Sequence, residues 1–521
     1  MQEIELKFQI PEQALSAVQA ELAHLDAGHH APLPLKAAYF DTPERALASA
    51  RMALRVRQEG DEWVQTLKAG GSNTMMRLED NQPACAPADG EAMCADLGRH
   101  LGKPAEAALR QVLDWQPEAD PAGRHAGLIE LYRTDIVRTR ARITVGRGTA
   151  HEGEIELALD LGSIHAGPLS VPVRELEIES VSGHPMAVIE AGRDWVRRHG
   201  LWLDTQTKAH RGDRLARQAA AQTAAPGAAP ALPMEYPTLG HPAKVKTDAT
   251  LEQAWRAAVE ACLEHLTGNM SELATQPAEI SLTAYQWRLA LRRLRSLGRL
   301  LADSDWALPA SALTHAEALN DQLGQWRDAE VLAWIPGRLH ALGGPLLPLP
   351  CPHPAHAEAE AVVTLARSAG ATQLCLDLLA ALLREPTHVA HHQAPAADWL
   401  RARLDRWHAR CVRMALQAEN LSDEGLHRLR KRGKRLRLAA ELFSPLWKPK
   451  RQRRHEQALK ATLDALGRIQ DEATAEAWYQ QAATQNPQAL FGQGWLAGRR
   501  PGLRRRARRS LERWLRVATP W

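Results

Sequence analysis

Residues 3–8 read Glu3-Ile4-Glu5-Leu6-Lys7-Phe8, with a charge at each odd position and an apolar side chain at each even one. Side chains alternate faces along a strand, so this spacing predicts a strand with Ile4, Leu6 and Phe8 on one face and Glu3, Glu5 and Lys7 on the other. A solvated strand gives the same alternation, so the neighbours must decide. They repeat the pattern. MALRVR (52–57) places Arg55 and Arg57 on one face, WVQTLKAGG (63–71) supplies Lys68, and MMRLED (75–80) supplies Arg77 and Glu79. DIVRTRARI sets Arg138, Arg140 and Arg142 together, and EGEIELALD sets Glu154 and Glu156 together, with Asp160 farther along. RELEIES (174–180) stacks Glu175, Glu177 and Glu179, and Lys208 and Arg211 follow.

Period-two patterns predict strands at 2–9, 35–41, 52–58, 62–68, 74–80, 128–144 (one strand or two), 153–161 and 173–181. Helical spacing occurs near 12–24, 104–113 and 184–199. Seven or eight strands with few helices imply an α+β half whose antiparallel sheet closes into a barrel. Like charges at i and i+2 repel unless something of opposite sign sits between them. A barrel lined this way needs a ligand carrying both signs, and a metal-complexed polyphosphate meets that need. Carboxylates hold Mg²⁺ or Mn²⁺ through hard oxygens, and Arg and Lys hold phosphate oxygens. The rival is a sandwich whose solvated strands are tied by salt bridges.

The chain has 521 residues, 45% hydrophobic and 24% charged, enough for two or more cores. Its net charge of +4 hides an asymmetry, since residues 1–220 carry 25 Lys+Arg against 32 Asp+Glu and the remainder is basic. No apolar run approaches the ~18 residues of a membrane span, and the acidic start lacks a signal-peptide layout. Six scattered cysteines without a CxxC suit a reducing cytosol and argue against a disulfide framework or a zinc site. An Ala/Pro-rich, nearly uncharged stretch divides the chain into expected domains at 1–216 and 241–521, with a linker at 217–240. A second Pro-rich loop spans 343–356.

Beyond the linker, helical periodicity dominates, and an internal repeat appears. YQWRLALRRLRSLGRLL (285–301) aligns with HRLRKRGKRLRLAAELF (427–443), so Arg288 falls on Arg430, Arg292 on Lys434 and Arg295 on Arg437. LGQWRD (323–328) likewise matches LGRIQD (466–471). An all-α half of two related bundles follows, each with one basic helix. Its anion-binding candidates are Arg288, Arg292, Arg295, His427, Arg430, Lys434 and Arg437. HVAHH (388–392) has metal-like spacing without an accompanying acid or Cys and is not read as a site. RRPGLRRRARRS (499–510) reads as a basic helix end.

Seven motifs in order carry a resemblance: the opening ExExK, YFDTP (39–43), MALRVR, WVQTLKAGG, ELALDLGS (156–163), RELEIES and KAHRG (208–212). Through them residues 1 to about 215 resemble the CYTH domain of the triphosphate tunnel metalloenzymes. From about 241 onward, YQWRLALRRLR, LGQWRD, LHRLRKRGKRLR (426–437) and LGRIQD resemble the CHAD domain. The whole is similar to bacterial CYTH–CHAD inorganic triphosphatases. The resemblance implies an eight-stranded antiparallel tunnel that hydrolyses inorganic triphosphate, with Glu5, Lys7 and Glu177 central to catalysis. It implies divalent cation binding by Glu3, Glu5, Glu175 and Glu177, with Glu154 and Glu156 as further candidates and Glu179 a weaker one. Phosphate grip would fall to Lys7, Arg55, Arg57, Lys68, Arg77, Arg140, Lys208 and Arg211. The C-terminal half would bind polyphosphate, placing the protein in the cytoplasm in association with polyphosphate granules. Tyr285 stands where the family has a histidine, and the acids after Arg77 depart from the family pattern, leaving Glu79 without an assigned role. Nucleic acid competes as the ligand of the basic helices. An organic triphosphate, or a tunnel that only binds polyphosphate, competes as the function.

Overall fold

The computed structural model describes residues 4–26, 31–73, 76–86, 93–224, 237–275, 280–343, 356–384 and 395–521. Two compact units emerge. The first gathers residues 1–236 with 270–279 and 367–383, and the second holds the rest. No helix among the described residues is long and apolar enough to cross a membrane.

The first unit is built on an antiparallel sheet of nine strands: β1 (Glu5–Gln9), β2 (Leu33–Asp41), β3 (Met52–Glu59), β4 (Glu62–Asn73), β5 (Met76–Pro83), β6 (Ile129–Val145), β7 (Gly153–Ala166), β8 (Leu169–Gly183) and β9 (Trp202–Leu203). Their order is β5-β4-β3-β2-β6-β7-β8-β1-β9. The stretch at 128–144 is one long strand. Two expectations need correction. The strands number nine rather than eight, because Trp202 and Leu203 add a short edge beside Gln9 and Phe8. The sheet is also open, with no pairing between β5 and β9 among the described residues. One helix packs on β6, β7 and β8. It is the last of five in this part of the chain: α1 (Leu15–Asp26), α2 (Ala46–Ser49), α3 (Glu106–Leu113), α4 (Met186–His199) and α5 (Lys208–Ala224).

The apolar positions of the alternation form the outer core. Ala38, Phe40, Leu54, Val56 and Leu67 pack with Leu109 and Trp115 at α3. Leu6 and Phe8 lie beneath α4, where Gly192 lets the helix approach so closely that a Cβ would stand 2.9 Å from the Phe8 ring. Burial of such side chains stabilises by about 1.5–3 kcal/mol each. The opposite face is divided. At one end Leu35, Tyr39, Tyr132, Ile136, Ile164 and Val173 receive Leu215, Ala216 and Ala219 of α5. At the other end lie the charges. Gly212 sits against Tyr132, whose ring a Cβ would meet at 2.2 Å, and Tyr132 donates its hydroxyl to the Ala209 carbonyl at 3.0 Å. These contacts bring the first turn of α5, with Lys208 and Arg211, to the charged end.

The second unit is helical. It draws on α6 (Leu251–Ala274), α7 (Ile280–Leu301), α8 (Ala310–Ala341), α9 (His356–Ala366), α11 (Ala396–Leu416), α12 (Asp423–Leu442), α13 (Pro449–Ala482) and α14 (Ala489–Leu515). The intervening α10 (Ala369–Leu383) and the end of α6 belong to the first unit. The repeat is visible as α7 packed on α8 and α12 packed on α13, with α7 against α12. The aligned glycines have matching roles. A Cβ at Gly324 would stand 3.6 Å from Arg288, and one at Gly467 would stand 3.3 Å from Arg430. Each basic helix thus lays its repeat-matched arginine across a glycine of the following helix.

Candidate functional site

Ladder register fixes which side chains share the charged face. Lys7 pairs with Glu177, Glu5 with Glu179 and Gln9 with Glu175. Glu156 pairs with Glu179 and Asp160 with Glu175, while Arg138 pairs with Asp160 and Arg142 with Glu156. On the other flank, Tyr39 pairs with Arg55, Ala53 with Lys68, and Lys68 with Glu79. Residues far apart in the chain thereby form one surface.

Within it the carboxylates fall into two groups that share Glu177. Oxygens of Glu5, Glu177 and Glu179 lie within 4.8 Å of one another, and so do those of Asp160, Glu175 and Glu177. The second group is threaded by cations. Lys208 Nζ stands 2.7 Å from Asp160, 2.7 Å from Glu175 and 2.8 Å from Glu177. Arg138 forks onto Asp160 at 2.7 and 2.8 Å and also bonds Glu177, and Arg211 bonds Glu175. Gln9 donates to Glu175 at 2.9 Å. Burial would raise the Glu175 carboxyl, but Lys208, Lys7 and Arg211 outweigh it and hold the group at about 2. Burial also opposes charge on Glu177, yet Lys208 and Arg138 keep it well below the usual carboxylate range. The same attractions raise Lys208 well above an ordinary lysine despite its burial. Both sides of the network are therefore ionised.

The other phosphate candidates lie on the same charged face. Lys7 Nζ is buried without a hydrogen-bond partner, 4.0 Å from Glu175. Arg55 stands 3.5 Å from the Tyr39 hydroxyl and 4.0 Å from Glu79. Arg57 pairs with Glu59, and Lys68 meets Glu79 at 2.8 Å. Glu79 thus has a structural partner set that sequence reading did not supply. Burial would raise its carboxyl, but Lys68 and Arg55 lower it.

The structure does not bring every candidate together. Glu3 lies outside the described residues. Arg77 is opposite Gly70 on the ladder, and its side chain is not described. Glu154 accepts a 3.4 Å bond from Ser182, beyond a bulge, and Glu156 is held by Arg142 at 3.1 Å and faces Arg140 at 3.9 Å. Among the described residues, neither belongs to a three-carboxylate group. Glu179, the weaker candidate, does. Sequence reading missed Tyr39 and Asp160 as site residues. Tyr39 stacks on Tyr132 with ring centroids 4.6 Å apart. Burial alone would raise its phenol, but Arg55, Lys208 and Lys68 lower it.

In the second unit, α7 and α12 turn their cations toward one another. Lys434 is held down to about 7 by burial and by Arg292, Arg430 and Arg288. Arg292 is lowered to about 10 by burial and by Arg288 and Arg430. Burial and Lys431 lower His427 as well. Arg295 and Arg437 are paired with Glu317 and Glu441. Tyr285 is 45% exposed. The HVAHH stretch lies outside the described residues.

Comparison with known proteins divides the chain by sequence order. Residues 1–212 match the CYTH domain and residues 257–480 the CHAD domain. An inorganic triphosphatase of Haemophilus influenzae is 29% identical over 215 residues, 41% of this chain and 54% of that protein. The chain therefore spans about half the length of this curated relative. Among solved structures, the CHAD domain from the plant Ricinus communis is 26% identical with a TM-score of 0.44, covering 55% of this chain and 98% of the other. A candidate adenylate cyclase from Bacillus halodurans is 20% identical with a TM-score of 0.25, covering 40% and 96%. The chain is a CYTH–CHAD protein, with the charged sheet in its first domain and the paired basic helices in its second.

Proposed function

We propose that the CYTH domain hydrolyses inorganic triphosphate to pyrophosphate and phosphate with the help of a divalent cation, and that the CHAD domain binds polyphosphate. The observation that carries the reading is one face holding Glu5, Glu177 and Glu179 together beside the buried, unbonded Lys7 ammonium. The Haemophilus influenzae relative supports the choice of an inorganic substrate.

The three carboxylates offer only hard oxygen donors, which suits Mg²⁺ or Mn²⁺. A cation held there supplies charge neutralisation at the phosphoryl oxygens. Lys7, Arg55, Arg57 and Lys68 bind the remaining oxygens, and Arg77 and Arg140 extend that set. Phosphoryl transfer makes little covalent demand on a protein, so fixed cations aimed at developing charge do most of the catalysis. Each such contact is worth roughly 3 kcal/mol. Water attacks in line with the departing pyrophosphate. Arg138 and Lys208 keep Glu177 ionised and oriented while this happens. Repulsion among Arg288, Arg292, Arg430 and Lys434 makes the second domain a receptor for a polyanion, and inorganic polyphosphate offers closely spaced charge without bases to recognise.

The test is phosphate release by the full chain from tripolyphosphate, ATP, thiamine triphosphate and long polyphosphate, each with Mg²⁺, Mn²⁺ or excess chelator. Chelator-sensitive release mainly from tripolyphosphate is expected. Glu5→Gln should cut it below about a tenth, over 1.4 kcal/mol in barrier, with the fold retained. Release mainly from an organic triphosphate would reassign the substrate. Polyphosphate binding without any release would make the tunnel a binding module.

A further inference from the structure

Lys208 was expected among the phosphate ligands, yet its ammonium is engaged by three carboxylates at 2.7, 2.7 and 2.8 Å. We propose that Lys208 is the built-in second cation of the tunnel. It is a positioning residue that steadies Glu177 and excludes a divalent ion from Asp160, Glu175 and Glu177, leaving Glu5, Glu177 and Glu179 to hold one. The inference rests on the metal-dependent reading above.

Mg²⁺ binds carboxylate oxygen at about 2.0–2.1 Å, so an ion at the centre of that group would overlap the ammonium. The two occupants are mutually exclusive. Asp160, Glu175 and Glu177 contribute three negative charges, and Lys208, Arg138 and Arg211 bond to them with three positive ones. A divalent ion added to a balanced buried group would bring uncompensated charge into a site where Glu175 is fully buried and Asp160 is 1% exposed. Lys208 opens α5, and α5 is fixed by Tyr132 against Gly212 and by Leu215, Ala216 and Ala219 in the apolar end. The backbone that carries the ammonium is therefore held beside the three carboxylates.

Mn²⁺ alone, titrated into the substrate-free full chain and followed by its electron paramagnetic resonance signal, tests this. One tight Mn²⁺ is expected for the wild type and for Lys208→Arg. Two are expected for Lys208→Ala and for Lys208→Met, and one again for Lys208→Ala combined with Asp160→Asn. Mn²⁺ should also raise the melting temperature of Lys208→Ala more than that of the wild type, a readout that still applies if the variant is weakened. Two ions in the wild type, or one in both folded neutral variants, would overturn the inference. No Mn²⁺ in any chain would overturn the metal-dependent reading itself.

Discussion

Tyr39 and Asp41 stand two residues apart in YFDTP and have unrelated roles. Tyr39 turns its hydroxyl toward Arg55, while buried Asp41 accepts from the amides of Thr42, Leu47 and Ala48 at 2.7, 2.8 and 2.9 Å. Substitution should separate them. Tyr39→Phe keeps the stack on Tyr132 and removes the group beside Arg55. Its kcat/KM for tripolyphosphate should fall at least about tenfold with an unchanged melting temperature. Asp41→Ala leaves three amides unsatisfied, so it should lose about 1–3 kcal/mol of stability in urea while each folded molecule turns over normally. The reverse assignment of effects would refute both roles. Neither role was legible in the sequence. A charge repeated at i, i+2 marks a strand face, but a lone Tyr shows its partner only once β2 and β3 are in register.

Elements were legible where one period persisted. β1, β3, β7 and β8 each repeat charge at i and i+2, and that repeat marks one face of each strand. α5 was hidden by composition. The segment 217–224 was read with the Ala/Pro-rich linker, yet alanine is the strongest helix former and the first breaker is Pro226, so the helix continues to Ala224. The basic pair α7 and α12 was legible as two stripes, but their mutual approach was not. That approach has a pH consequence. Lys434 faces Arg288 and Arg292 from α7, Arg430 on its own helix and Asp471 from α13, and sits at about 7. Below pH 7 it adds a cation to the surface, and above about pH 8 it is neutral. Polyphosphate affinity at fixed salt should therefore weaken between pH 6 and pH 8, up to about tenfold for one unit of linked shift. Binding should take up protons near pH 7.5, measurable by calorimetry in buffers of different ionisation enthalpy. Lys434→Met should flatten the profile between pH 7 and 8. An affinity independent of pH in the wild type would refute the linkage.

At the scale of the whole molecule, chain order and compact units diverge. A cut in the Ala/Pro-rich stretch would be expected to release the first domain intact, yet the first unit also claims residues 270–279 and 367–383. Those segments meet polar groups of α4, β9, α5 and the turn between β9 and α5. Thr372 accepts from the Leu203 amide at 3.1 Å, Asp377 accepts from Arg193 at 2.7 Å, and Ser271 accepts from the Thr205 amide at 2.9 Å. Glu272 bonds Gln206 at 2.7 Å and Arg214 at 3.1 Å. Removing one partner of a buried hydrogen bond costs about 1–3 kcal/mol, and the first-unit side of these contacts would be left behind. A fragment ending at Ala224 regains water at some of these groups, so a net loss of about 3–6 kcal/mol is the reasonable scale. At ~2–4 °C per kcal/mol for a unit of this size, its melting temperature should fall by about 6–24 °C below that of the full chain's first unfolding step. Its tripolyphosphatase activity, measured well below that temperature, should survive, because the charged face draws only on residues before 212. Differential scanning calorimetry of the two chains decides it. Equal melting temperatures would mean that the borrowed segments add nothing to the first unit's stability.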